Sequence, residues 1–142
     1  ESKGLVLEIF KELNKMKIHL MMDDFGIGFS SINSLKHLPF STLKIDRSLI
    51  LDIDTNPDAS AIVKSIIDMA HSLKIKVIAE GVETQEQLEL LRSYRCDYIQ
   101  GYLLYRPMKA EEITNVLIQK NKYRSDMKNN ITSEFAPLLG ER

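Results

Sequence analysis

MMDDFGIGFSS, residues 21–31, has two readings, and the fold turns on which is right. Asp and Gly are the commonest turn formers, so the segment reads as a tight turn with incidental acids. It also reads as the end of a buried strand that delivers two adjacent carboxylates, Asp23 and Asp24, to a site. Successive strand side chains point to opposite faces. Both acids can therefore face one site only where the chain bends, as Gly26 and Gly28 allow.

Outward from there the chain alternates strand and helix. Leu5, Val6, Ile9, Phe10, Leu13 and Met16 recur at three- and four-residue steps and predict an amphipathic helix over 4–16. KIHLMM (17–22) is a short apolar run ended by the acidic pair, which predicts a buried strand. SSINSLKHL (30–38) predicts a short Ser-capped helix stopped before Pro39, and STLKID (41–46) a second strand. NPDASAIVKSIIDMAHSL (56–73) opens with an Asn cap and Pro57 in the first turn, with Ile62, Val63, Ile66, Ile67, Ala70 and Leu73 as its apolar face. KVIAEG (76–81) predicts a third strand. TQEQLELLRSY (84–94) is a helix with Thr84 and Gln87 in capping-box spacing. DYIQGY (97–102) predicts a fourth strand and 109–120 a last helix around Ile113, Val116 and Leu117. Residues 121–142 read as a polar tail or short extra helix, which sets a boundary between 1–120 and 121–142.

Four βα units whose strands are too apolar for exposure on either face imply an α/β fold, with parallel strands covered by helices. The choice lies between half of a (β/α)8 TIM-type barrel and a small doubly wound sheet. A whole barrel needs roughly 250 residues, and the chain has 142. Nineteen basic against 20 acidic residues leave a net charge of −1, with no field to attract nucleic acid or a membrane surface. Lys120, Lys122, Arg124 and Lys128 read as a solvated helix end. Cys96 is the single cysteine, which excludes an internal disulfide and points to a reducing, cytoplasmic compartment. No apolar run is long enough to span a bilayer. The chain starts with Glu1 rather than Met and reads as a piece of something longer. His19, His37 and His71 lack mutual ligand spacing, and Met16, Met21, Met22 and Cys96 read as core filling.

Polar residues collect near the strand ends: Asp23 and Asp24, then Lys44, Glu80 and Gln100. Singly each has an ordinary explanation, Lys44 pairing with Asp46, or Glu80 capping the next turn. Together they predict a site at the C-terminal edge of a parallel sheet, where such folds build them. Adjacent carboxylates with a third Glu suit Mg²⁺ or Mn²⁺, and a lysine among them could orient a water or neutralise a phosphate oxygen. A pair of such ions serves phosphodiester cleavage.

DDFGIGFSS, LKIDRS, AEGVET and QGYLLYRPM occur in an order and at separations that resemble the second half of an EAL domain, the bacterial phosphodiesterase family that linearises cyclic di-GMP. The resemblance runs from about residue 5 to 118. It implies the C-terminal half of a (β/α)8 barrel and a two-metal centre of Mg²⁺ or Mn²⁺. Asp23 would bridge two metals and Asp24 bind the second. Lys44 would orient or activate the attacking water, and Glu80 would act as a metal-site carboxylate or base. Gln100 would position water and substrate, Glu83 support the loop after Asp24, and Pro107 lie near the guanine-binding side. Nothing corresponds to the family's Glu-Ala-Leu signature or to its upstream Asn and Glu ligands. Ile27 stands where the family carries Thr or Ala, and Phe29 where it carries Tyr.

The resemblance implies that the parent hydrolyses cyclic di-GMP to linear pGpG, and the departures imply that this chain alone is inactive. The alternative is a degenerate non-catalytic module that binds cyclic di-GMP or a protein partner. Two open sheet edges imply a homodimer or higher assembly, and a sensor or GGDEF cyclase domain is expected upstream in the parent. A protein kinase shares the DFG triplet, but no phosphate loop precedes Asp23 and no APE-like segment follows. A receiver-like or flavodoxin-like fold lacks its phosphate-binding loop here.

Overall fold

The computed structural model describes residues 2–27, 35 and 38–119. The chain divides into two compact units, Glu1–Arg106 and Pro107–Arg142. The first contains helix α1 (Ser2–Lys15), strand β1 (Met21–Phe25), β2 (Thr42–Ile45), α2 (Arg47–Ile50), α3 (Pro57–Ser72), β3 (Lys76–Glu80), α4 (Gln85–Ser93) and β4 (Tyr98–Gln100). In the second, residues 110–119 form a helix, α5. The strands make one sheet in the order β1-β2-β3-β4, every pair parallel. This is an α/β architecture with half the strands of a (β/α)8 barrel. The short helix expected over 30–38 lies outside the described residues except for Leu35, which is helical and buried, and Leu38.

Three helices end in the same way. Lys17, Lys74 and Arg95 take left-handed φ values of 59°, 61° and 62°. In each case the next residue's N–H reaches back five positions to close the helix: Ile18 to Leu13 O, Ile75 to Ala70 O, and Cys96 to Leu91 O. This is the Schellman arrangement, with a basic residue where glycine is usual. It places the strand expected over 17–22 later, at Met21–Phe25. The cap consumes residues 16–18, and the ladder to β2 begins at Met21↔Thr42.

The core lies between the sheet and its helices. Leu43 and Ile45 of β2 and Val77 and Ala79 of β3 are fully buried against Val63, Ile67 and Ala70 of α3 and Leu91 of α4. Each such valine, leucine or isoleucine contributes about 1.5–3 kcal/mol on burial. The alternation of β2 leaves Thr42 and Lys44 on the opposite face, and that of β3 leaves Ile78 and Glu80 there.

Burial on both faces fails at the two edge strands. β1 and β4 are largely exposed, because each has one neighbour among the described strands. Met21, expected as core filling, is 54% exposed for the same reason; Met16, also expected as core filling, is 70% exposed in the turn after α1, and Leu5, Val6 and Ile9 of α1 also face outward. Helix α2 was not apparent in the sequence; Asp46 caps it by accepting from Ser48 N–H at 2.7 Å. The caps expected at Asn56 and at Thr84–Gln87 are both present.

Candidate active site

The acidic pair lies inside β1, and the bend that unites it is at Asp24 itself. Met22 pairs with Leu43 and Phe25 with Ile45, so Asp23 and Asp24 together oppose the single residue Lys44. Two residues against one is a β-bulge. Asp24 absorbs it with a left-handed φ of 53°, and Gly26 follows at 106°. The carboxylates of Asp23, Asp24 and Glu80 consequently offer ligand atoms that all lie within 4.8 Å of one another.

Lys44 occupies the centre of this group. Its Nζ donates to Asp23 Oδ1 at 2.8 Å and contacts Glu80 Oε1 at 2.6 Å. The Lys44 and Glu80 side chains are only 17% and 16% exposed, whereas Asp23 is 62% exposed. The bonds to Asp23 and then to Glu80 hold the Lys44 amine above its usual range, so the group is an ammonium ion at neutral pH. The same bond holds Asp23 below its usual range. Neither ordinary explanation for these residues applies: Lys44 pairs across strands rather than with Asp46, and Glu80 pairs with Lys44.

The neighbouring loops are tied together beneath the site. Arg47 pairs with Glu83 at 2.9 Å, and its side chain crosses Gly81, where a Cβ would lie 2.2 Å from Arg47 Cγ. Gln87 is 3% exposed and accepts from Glu83 N–H and Thr84 N–H at 2.9 and 3.2 Å. Its amide donates to Leu51 O at 3.2 Å, which joins the loop after β3 to the turn after α2. Val82 N–H donates to Gln100 O at 3.1 Å, and only glycine fits at Gly101, because a Cβ there would lie 2.0 Å from Val82 O.

Asp23, Asp24, Lys44 and Glu80 are thus brought together. Gln100 registers beside Glu80 across the β3–β4 ladder, and its side chain faces solvent. Glu83 engages Arg47; the loop after Asp24 that it was expected to support runs beyond the described residues. Pro107 opens the second unit. Two residues enter that spacing alone did not single out for this edge. Asp46 is close enough to Asp23 for their charges to oppose each other, although the bonds from Ser48 dominate and keep Asp46 acidic. Arg47 is the other, and only the fold reveals its pairing with Glu83. Oxygen-only donors at this separation fit a hard divalent cation such as Mg²⁺ or Mn²⁺. Among the described residues no helix is long and apolar enough to cross a membrane.

Comparison with known proteins identifies relatives of this chain. The bifunctional diguanylate cyclase/cyclic di-GMP phosphodiesterase MucR of Pseudomonas aeruginosa is 45% identical over 107 residues, 75% of this chain and 16% of MucR. The solved MucR phosphodiesterase, in complex with c-di-GMP, superposes with a TM-score of 0.72 at 43% identity, covering 78% of this chain and 45% of that one. The EAL domain of Mycobacterium smegmatis DcpA gives a TM-score of 0.80 at 33% identity, over 84% of this chain and 53% of that one. Klebsiella pneumoniae BlrP1, solved with manganese and cyclic di-GMP, gives 0.63 at 35% identity, over 68% and 24%. The chain therefore spans about half or less of these solved chains. The family model for the EAL domain matches residues 2–107, and the chain belongs to the EAL domain family.

Proposed function

We propose that this chain is the carboxylate-bearing half of a metal-dependent phosphodiesterase that opens cyclic di-GMP to linear pGpG. The observation that carries the reading is the convergence of Asp23, Asp24 and Glu80 around the Lys44 ammonium at the C-terminal edge of the sheet. Asp23, Asp24 and Glu80 would hold Mg²⁺ or Mn²⁺, which when bound stabilises charge on the phosphodiester and lowers the pKa of water. Lys44, held protonated, acts as a donor: it orients a water or a phosphate oxygen and cannot serve as a base at neutral pH. Glu80 serves as a metal-site carboxylate or as a base. Gln100 orients water and substrate, Glu83 fixes the loop, and Pro107 lies toward the base-binding side.

Three carboxylates among the described residues are fewer oxygen ligands than a two-metal centre needs. The chain alone is accordingly inactive, and joining the preceding half-barrel restores turnover. The test follows pGpG by chromatography after incubation with cyclic di-GMP and Mg²⁺ or Mn²⁺, with an EDTA control. Product from the restored barrel, abolished by Asp23→Asn and by Lys44→Ala, supports the reading; unchanged turnover in both variants overturns the site assignment. The second reading, a non-catalytic module binding cyclic di-GMP or a protein, is favoured by Ile27, which stands where the family carries Thr or Ala. It predicts binding without product even in the restored barrel.

The exposed edges β1 and β4 support a homodimer or higher assembly. A monodisperse monomer in light scattering at micromolar concentration refutes it. A sensor or GGDEF domain upstream and action in the cytoplasm complete the proposal.

A further inference from the structure

We infer that Lys44 competes with a divalent ion for the Asp23–Glu80 carboxylate pair, so that one ammonium group sets how much metal the centre needs before it fills. The inference rests on the metal-centre reading above. Lys44 Nζ lies 2.8 Å from Asp23 Oδ1 and 2.6 Å from Glu80 Oε1, and these are two of the three carboxylates that converge within 4.8 Å. It draws on the lone pairs a cation would use and adds a like charge beside it.

Lys44 cannot turn to the other face. Leu43 and Ile45 on either side of it are fully buried against the helices, which fixes the side from which its stem emerges. At 17% exposure the charge is poorly screened. Nor is the lysine needed to aim Asp23, because Asp24 N–H donates to the same Oδ1 at 3.1 Å. Removing the charge should leave the carboxylates arranged and their affinity higher. A neighbouring unit charge at such range shifts an ionic equilibrium by on the order of tenfold or more.

The experiment measures free Mn²⁺ by electron paramagnetic resonance in titrations of the 142-residue chain, wild type, Lys44→Met and Lys44→Arg, with circular dichroism as the check on folding. The methionine variant should bind Mn²⁺ at least ~10-fold more tightly than wild type, while the arginine variant, which keeps the charge, stays near wild type. If wild type binds and Lys44→Met binds no tighter, the competition is refuted and the metal-centre reading stands. If neither binds, the competition falls, and the metal-centre reading is decided by the product assay on the restored barrel. Should Lys44→Met fail to fold, a Mg²⁺ titration of the unsubstituted chain replaces it. Competition requires the Lys44 ¹⁵Nζ resonance to move as the ion binds, and a stationary resonance overturns it.

Discussion

Replacing Gln87 by leucine should be among the most damaging single changes outside the hydrophobic core. The amide is 3% exposed and its hydrogen bonds are part-buried, so water replaces what is lost only in part. Two backbone donors, Glu83 N–H and Thr84 N–H, and one acceptor, Leu51 O, lose their side-chain partner. An orphaned buried polar group costs about 1–3 kcal/mol, so three at the lower end give roughly 3 kcal/mol. Thr84 still caps α4 through Gln87 N–H, which keeps the loss from being larger. With a urea m-value of about 2 kcal/mol/M, the midpoint should fall by roughly 1.5 M at unchanged slope. Gln87→Glu separates the two roles: both acceptor bonds survive and only the donation to Leu51 O is lost. It should cost about half as much at neutral pH and recover in acid, where the protonated carboxyl can again donate. A leucine variant within about 1 kcal/mol of wild type would refute the claim that this side chain couples the two loops.

Gly101→Ala places a Cβ 2.0 Å from Val82 O and 2.4 Å from Val82 N, both backbone atoms, so relief by side-chain movement is impossible. We expect a loss of about 3 kcal/mol, the upper range for overpacking, measurable by thermal melting. Lys17→Gly, Lys74→Gly and Arg95→Gly should each stabilise by roughly 0.5–1 kcal/mol, since relief of the left-handed conformation exceeds glycine's entropy cost; a lower melting point in all three contradicts the cap assignment. Asp23 and Asp46 have depressed carboxyl values. Their contribution is therefore full above the ordinary 3.8 and lost as pH falls through the lower folded values. Lys44 has a raised value, so its contribution is full below 10.5 and lost as pH rises through the folded value. Lys44→Met should flatten the alkaline limb of a pH–stability curve, and an unaltered limb argues against the ion pairs.

Much of this was legible because it is local. Asn56 before Pro57, and Thr84 three residues before Gln87, announce helix starts through hydrogen bonds made within one turn. The alternation in β2 and β3 is likewise visible, since one face of each packs on helices. What escaped depends on distant pairing. The first strand was placed too early because KIHL is as apolar as a strand, and nothing in the periodicity shows that Lys17 closes a helix at positive φ. Met21 reads as core because apolarity does not report which strand forms an edge, and Met16 because it does not report where α1 ends. The candidate carboxylates were visible as residue types, but the device that unites them, a bulge at Asp24, is a property of register against Lys44.

That bulge makes Asp24 supernumerary to the sheet. Without it, Met22, Asp23 and Phe25 would alternate faces against Leu43, Lys44 and Ile45 as in any ordinary strand. The hydrophobic frame is complete without the second carboxylate, which enters as an inserted residue rather than as a replacement. Loss of a single codon would thus remove one carboxylate of the proposed centre and leave the scaffold intact, even relieved of a left-handed residue. A deletion variant that melts no lower than its parent would show this directly. In descent, foldedness and chemistry are then separable here by one three-nucleotide step, and well-folded silent copies are an easily reached fate for such a chain.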